Sequence, residues 1–142
     1  MQYGLYLESL KSITLKGEDG KEKIKESLNG LRKSADSILG KEIGSRKVIG
    51  FLDYKEKVAK GSVSLSLVKG LPTSDVIQLF LTGSAKLTIR PSGTEPKIKL
   101  YSSFQSKIQP RSKEEIIELK MNLEQEIKNT EQEFIKLAGL NG

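Results

Sequence analysis

The sequence predicts an α+β fold: a two-layer sandwich with an antiparallel sheet of about four strands and two main helices. Three observations lead there. Apolar residues recur at helical spacing through residues 24–38, alternating β-rich segments occupy residues 48–104, and a longer helical stripe follows Pro110. At 142 residues the chain suits one domain and can bury a core without disulfide or metal staples.

The elements follow in order. Tyr3, Leu5 and Leu7 alternate with small or polar residues, and Ile13 and Leu15 resume the pattern, so residues 1–16 read as an extended lead-in. Gly17-Glu18-Asp19-Gly20 is a turn cluster whose acidic groups suit a helix start. Ile24, Leu28, Leu31, Ala35 and Ile38 then form one stripe of an amphipathic helix that should end near Gly40. Val48 to Tyr54 reads as a strand. Ser62 to Leu67 alternates cleanly, as a further strand or an ordered extended connection. Leu71-Pro72-Thr73-Ser74 is a turn. Residues 76–81, Thr82-Gly83-Ser84 and residues 86–90 make a hairpin, and Lys97 to Phe104 is one more strand. Ser112 with Glu115 is a capping-box signature. Behind it Ile116, Leu119, Leu123, Ile127, Phe134 and Leu137 mark one face of a helix that stops near Gly139.

Composition narrows the chemistry. There is no cysteine and no histidine, which removes thiol chemistry, the commonest general base near neutral pH and the commonest zinc ligand. Asp19, Asp36, Asp53 and Asp75 stand singly, without the clustering a divalent cation needs. No metal or cofactor is expected in these residues. No apolar run approaches the ~20 residues of a membrane span, and no signal peptide is visible, so a cytoplasmic location is expected. Residues 1–105 hold 18 basic and 11 acidic groups, an excess of +7, whereas residues 106–142 hold 6 and 7, an excess of −1. A basic excess in the first three-quarters fits an anion bound there, and it also serves solubility.

The segment that carries chemistry is Arg90-Pro91-Ser92-Gly93-Thr94-Glu95-Pro96-Lys97-Ile98-Lys99. Leu87 and Ile89 share one strand face, and Ile98 and Leu100 share one face of the next, so Arg90, Lys97 and Lys99 emerge together on the polar side. Pro91 and Pro96 stiffen the loop between them. Gly93 can take positive φ and leaves the backbone bare, Ser92 and Thr94 bring hydroxyls, and neighbouring amides can form an anion-holding concavity. Arg90 supplies a planar fork matching two phosphate oxygens. The same residues would also serve a proline-rigid turn flanked by ordinary exposed lysines.

This ten-residue string resembles the phosphate-binding loop of the α-D-phosphohexomutase superfamily, the phosphoglucomutases and phosphomannomutases. Tyr3-Gly4-Leu5-Tyr6, the Lys16-Gly17 turn, the Gly20-Lys21 helix start and Leu71-Pro72-Thr73-Ser74-Asp75-Val76 resemble the same region, so the similarity runs from about Tyr3 to Tyr101. The resemblance implies the fourth, C-terminal domain of such an enzyme, with a TATA-binding-protein-like α+β sandwich over residues 17–142 and residues 1–16 leading in from the preceding domain. The superfamily's phosphoserine loop (Thr-Ala-Ser-His-Asn-Pro), magnesium loop and sugar-recognition motif do not occur here. By position, Arg90, Ser92, Gly93 and Thr94 would bind a substrate phosphate, with Lys99 as a second basic contact and no catalytic residue.

The expected partners are a glucose or mannose phosphate and the other three domains of the parent enzyme, whose magnesium would sit in one of them. Alone, the chain should bind sugar phosphate weakly and turn nothing over. The competing classes are a basic nucleic-acid-binding domain and an interaction module. Against the first, aromatic residues make up only 6% of the chain and the lysines are dispersed.

Overall fold

A computed structural model describes residues 4–106 and 108–140. Tyr3 therefore lies outside the described residues. Ten elements follow one another: β1 (Tyr6–Thr14), α1 (Gly20–Lys33), β2 (Glu42–Ile43), β3 (Arg46–Asp53), β4 (Val58–Gly61), a 3-10 turn (Leu65–Leu67), β5 (Ile77–Leu81), β6 (Ala85–Pro91), β7 (Lys97–Gln105) and α2 (Lys113–Leu137). The strands form one sheet in the order β1-β7-β6-β5-β3-β2, with β4 added on β3, and every pairing is antiparallel.

The α+β sandwich is as expected, but the sheet has seven strands rather than about four. The extra ones are β2, β4 and the lead-in. Two of them span only two and four residues, too short for a periodic signal. The lead-in forms the nine-residue edge strand β1, which pairs with β7 from Tyr6↔Gln105 to Thr14↔Lys97.

Alternation decides the faces. Leu79, Leu81, Leu87, Ile89, Ile98, Leu100 and Phe104 are buried on one side of the sheet, against Ile24, Leu28 and Leu31 of α1 and Leu123, Ile127 and Phe134 of α2. The α1 stripe is real, but its helix ends at Lys33 rather than near Gly40. Residues 34–40 continue as hydrogen-bonded turns that still bring Ala35 and Ile38 into the core. At the other end, Asp19 makes no side-chain cap bond, and its carboxylate instead pairs with Lys23 at 3.6 Å.

In α2 the Ser112 hydroxyl accepts from the Glu115 amide at 3.1 Å, while Glu115 reaches the Arg111 amide rather than that of Ser112. The predicted stripe enters the core only from Leu123 onward. Ile116 and Leu137, at the two ends of the helix, stay exposed.

Residues 62–67 are not a strand. Leu65 and Leu67 face solvent, Val68 alone is buried, and the Lys57 ammonium donates to the carbonyls of Val68, Leu71 and Pro72. Residues 62–67 bond locally instead: the Leu67 amide donates to the Ser64 carbonyl, and the Val68 and Lys69 amides to that of Leu65.

Two buried clusters tie distant segments together. Arg46, only 2% exposed, holds Glu126 of α2 through two bonds of 2.6 and 3.0 Å. It also donates to the carbonyls of Thr82 and Gly83 and stacks over Phe104. Thus one guanidinium fixes the β5–β6 turn, β7 and α2 relative to β3. Elsewhere Ser102 donates to the buried carboxylate of Glu131 at 3.0 Å, joining β7 to α2.

Candidate functional site

The β6–β7 hairpin carries the loop singled out above. Arg90 lies directly across from Lys99, and Pro91 from Ile98, so Arg90 and Lys99 share the sheet face away from the helices. The Ser92 amide donates to the Lys97 carbonyl at 2.9 Å and the Lys97 amide to the Glu95 carbonyl at 2.7 Å, which closes the loop. The Leu15 amide donates to the Pro96 carbonyl at 2.9 Å, docking the loop on the chain that leads into α1. Its partner contact is Gly20: a Cβ there would stand 2.4 Å from the Leu15 carbonyl oxygen and 3.0 Å from Pro96 Cβ. Only a bare backbone lets the first turn of α1 seat this closely on the loop.

That seating forms a cleft of about 460 Å³ between the loop and α1. Arg90, Pro91, Ser92, Gly93 and Glu95 line one side, and Lys21, Ile24, Lys25, Leu28 and Arg32 line the other, with Lys55, Ser74 and Asp75 at the end. Of the expected site residues, Arg90, Ser92 and Gly93 come together here. Thr94 and Lys99 do not line the cleft; Thr94 is exposed on the loop and Lys99 lies beside Arg90 on the sheet.

The loop's chemistry differs in two respects from its sequence reading. The Ser92 amide is already used, so among the described residues the loop's free backbone donors are those of Gly93, Thr94 and Glu95. Gly93 does not adopt positive φ, and nothing lies within 4 Å of where its Cβ would be. Its contribution is an open approach to the backbone rather than a special turn. The Arg90 side chain is exposed and makes no ion pair or hydrogen bond among the described residues, leaving the whole fork available.

Arg32 is the opposite case. Its Nε donates to Asp53 at 2.8 Å and its terminal nitrogen to Asp75. Asp53 is itself buried and accepts from the Lys55 and Glu56 amides. Burial on its own would lower the Arg32 pKa, but the hydrogen bonds and charges of Asp75 and Asp53 outweigh it, and the guanidinium is held above its ordinary value. Arg32 is therefore a fixed, charge-satisfied strut binding α1 to the end of β3 and to the turn bearing Ser74 and Asp75. Sequence reasoning missed it, and also Lys21, Lys25 and Lys55. Lys21 and Lys25 were findable, since they flank Ile24 at helical spacing; nothing in the sequence links Arg32 to residues 21 and 43 positions away.

The described residues contain no group of three or more carboxylate, histidine or cysteine side chains able to hold a metal ion, and no helix long and apolar enough to cross a membrane.

Fold and cleft together define an α+β sandwich domain with a cation-lined cleft between a proline-bracketed hairpin loop and its first helix. No protein-family model matches the chain. Among curated proteins it is similar to the phosphoglucomutase of Staphylococcus epidermidis, 33% identical over 103 residues, which is 71% of this chain and 18% of that protein. The phosphoglucomutase of Staphylococcus aureus is 35% identical over 102 residues, again 71% and 18%. That of Staphylococcus haemolyticus is 32% identical over 111 residues, 72% and 18%. The chain thus spans under a fifth of the length of these relatives. Over about seven-tenths of its length the chain is similar to a domain-sized stretch of these phosphoglucomutases, consistent with the C-terminal domain of such an enzyme.

Proposed function

We propose that this domain grips the phosphate group of a hexose phosphate, glucose or mannose, for a phosphoglucomutase or phosphomannomutase whose phosphoryl transfer takes place on other domains. The observation that carries the reading is the unpaired, exposed fork of Arg90, a residue that borders the same cleft as Ser92 and the open backbone of Gly93. A phosphomonoester near neutral pH is close to a dianion with three strong acceptor oxygens. Arg90 offers it paired donors, and the Ser92 hydroxyl and Gly93 amide offer neutral ones. Thr94, exposed on the loop, and Lys99, beside Arg90 on the sheet, would add donors next to the guanidinium.

In this reading the domain holds the phosphate that is not transferred and supplies no nucleophile, acid or base. Magnesium, if the parent enzyme uses it, would be held by another domain, and the protein would work in the cytoplasm. Charge-assisted hydrogen bonds contribute roughly 1.5–3 kcal/mol each, much of it offset by the ordering of the ligand. The chain alone should therefore bind hexose 6-phosphate at about millimolar Kd and show no mutase turnover.

The test is an NMR titration of the 142-residue chain with glucose 6-phosphate. Amide shifts should centre on residues 92–94 and vanish in Arg90→Ala with the remaining spectrum unchanged. An undiminished response in that variant places the phosphate elsewhere, and turnover by the chain alone in a coupled assay overturns the division of labour.

A further inference from the structure

We infer that β1 is a self-pairing edge: two copies of the chain join antiparallel along it, with Leu10 of each opposite Leu10 of the other, so that their sheets become one.

The backbone is the first reason. β1 ends the sheet on one side and pairs with β7 alone, in an unbroken register. Bonds at its two ends show which positions that pairing uses: the Ser106 amide donates to the Leu5 carbonyl, and the Leu15 amide to the Pro96 carbonyl. Bonded positions alternate along an antiparallel pair, so Leu7, Ser9, Lys11 and Ile13 turn their backbone groups to β7. Tyr6, Glu8, Leu10, Ser12 and Thr14 turn theirs outward, where no strand meets them among the described residues. Sheet edges are ordinarily blunted by proline, a bulge, short length or a run of charge. β1 has nine residues, no proline and no bulge, and only Glu8 and Lys11 are charged.

The side chains are the second. Leu7 and Ile13 pack against the core yet are only partly buried, and on the other face Leu10 is 55% exposed. The core is thus unfinished along this edge. Because only even-numbered positions offer outward backbone groups, even must pair with even. A two-fold axis at Leu10 sets Tyr6 opposite Thr14 and Glu8 opposite Ser12 of the second copy. On the helix side Leu7 then meets Ile13 and Ser9 meets Lys11, so apolar lies against apolar and no like charges stand directly opposite. Slipping the second copy by two residues sets Lys11 opposite Lys11 in one direction and opposite Leu7 in the other, so this register is the complementary one. Such a contact is isologous and closes after two copies, leaving neither β1 as an edge.

Sedimentation and amide exchange of the 142-residue chain test this. The sedimenting mass should double as the chain rises from about 10 µM to about 1 mM, the weak range expected of a small interface. Leu10→Lys sets like charges at the two-fold axis and should stay monomeric, as should Leu10→Glu. Mixed in equal amounts, those two variants should pair. Leu67→Lys makes the same change at an exposed leucine of the 3-10 turn and should dimerise as the parent does. In the unaltered chain the amides of Glu8, Leu10 and Ser12 should exchange more slowly as concentration rises, while those of Ser9 and Lys11 are slow throughout. A chain monomeric at about 1 mM, dimerisation that survives Leu10→Lys or is lost equally in Leu67→Lys, a mixture that does not pair, or concentration-dependent protection lying outside β1 overturns the proposal.

Discussion

Two glycines in the same helix should respond in opposite directions to the same substitution. Gly20 and Gly30 both lie in α1, and neither takes positive φ, so an alanine at either meets no backbone strain. Only surroundings differ. At Gly30 nothing lies within 4 Å of the added methyl, so Gly30→Ala gains the helix propensity alone, about 0.5–1 kcal/mol. At Gly20 the methyl would meet the Leu15 carbonyl oxygen at 2.4 Å and Pro96 Cβ at 3.0 Å. The first neighbour is backbone, held by the bond from the Leu15 amide to the Pro96 carbonyl, and cannot rotate aside. Relief requires α1 to lift from the loop, an overpacking cost of about 1–3 kcal/mol that outweighs the propensity gain. Urea unfolding of the two variants should therefore differ by roughly 1–3 kcal/mol, with the parent between them. Gly20→Ala should also weaken glucose 6-phosphate binding, because the two walls of the cleft separate, whereas Gly30→Ala should leave it unchanged. A Gly20→Ala protein as stable as the parent, with an unaltered phosphate titration, would refute the idea that this contact builds the cleft.

Other perturbations test other joints. Glu126→Ala strands the buried Arg46 guanidinium and should cost about 3 kcal/mol, toward the low end for a broken buried pair because Arg46 keeps its carbonyl partners; a loss under ~1 kcal/mol in urea unfolding would contradict that role. Ser112→Ala should cost about 1 kcal/mol through the lost N-cap bond to Glu115, visible as a lower thermal midpoint with unchanged phosphate binding. The Arg32 pKa is raised, so its stabilising contribution is complete below the ordinary arginine range and is lost only above the raised value. Stability between about pH 7 and pH 10 should therefore owe no slope to Arg32, and a decline there that disappears in Arg32→Met would refute the assignment.

Much of this fold is legible in the sequence because its signals are local. The α1 stripe, the β5–β6 and β6–β7 hairpins and the Ser112 cap each declare themselves within a few residues. The failures are equally physical. Residues 62–67 alternate as a strand does, but alternation reports only periodicity. Leu65 and Leu67 find no sheet and stay in solvent, and the Ser64 and Leu65 carbonyls bond to amides three or four residues on. Arg46 with Glu126, and Arg32 with Asp53 and Asp75, are charges that read as surface residues until the fold brings their partners across 80, 21 and 43 positions. No window of the sequence contains such a pair.

The same distinction explains why the loop string reveals only part of the cleft. Residues 90–99 encode one wall completely: the fork, the hydroxyl, the bare amide and the two prolines are contiguous. The opposite wall consists of lysines that, in sequence, resemble any solvated helix face. What turns them toward Arg90 is the close seat of Gly20 on Leu15 and Pro96, together with the Arg32 strut holding α1 to the turn that carries Asp75. A loop grafted without that helix would keep its phosphate donors but lose the cations across from them. The phosphate donors of the loop and the lysines of α1 are thus placed by different parts of the chain, and should be separable by substitution.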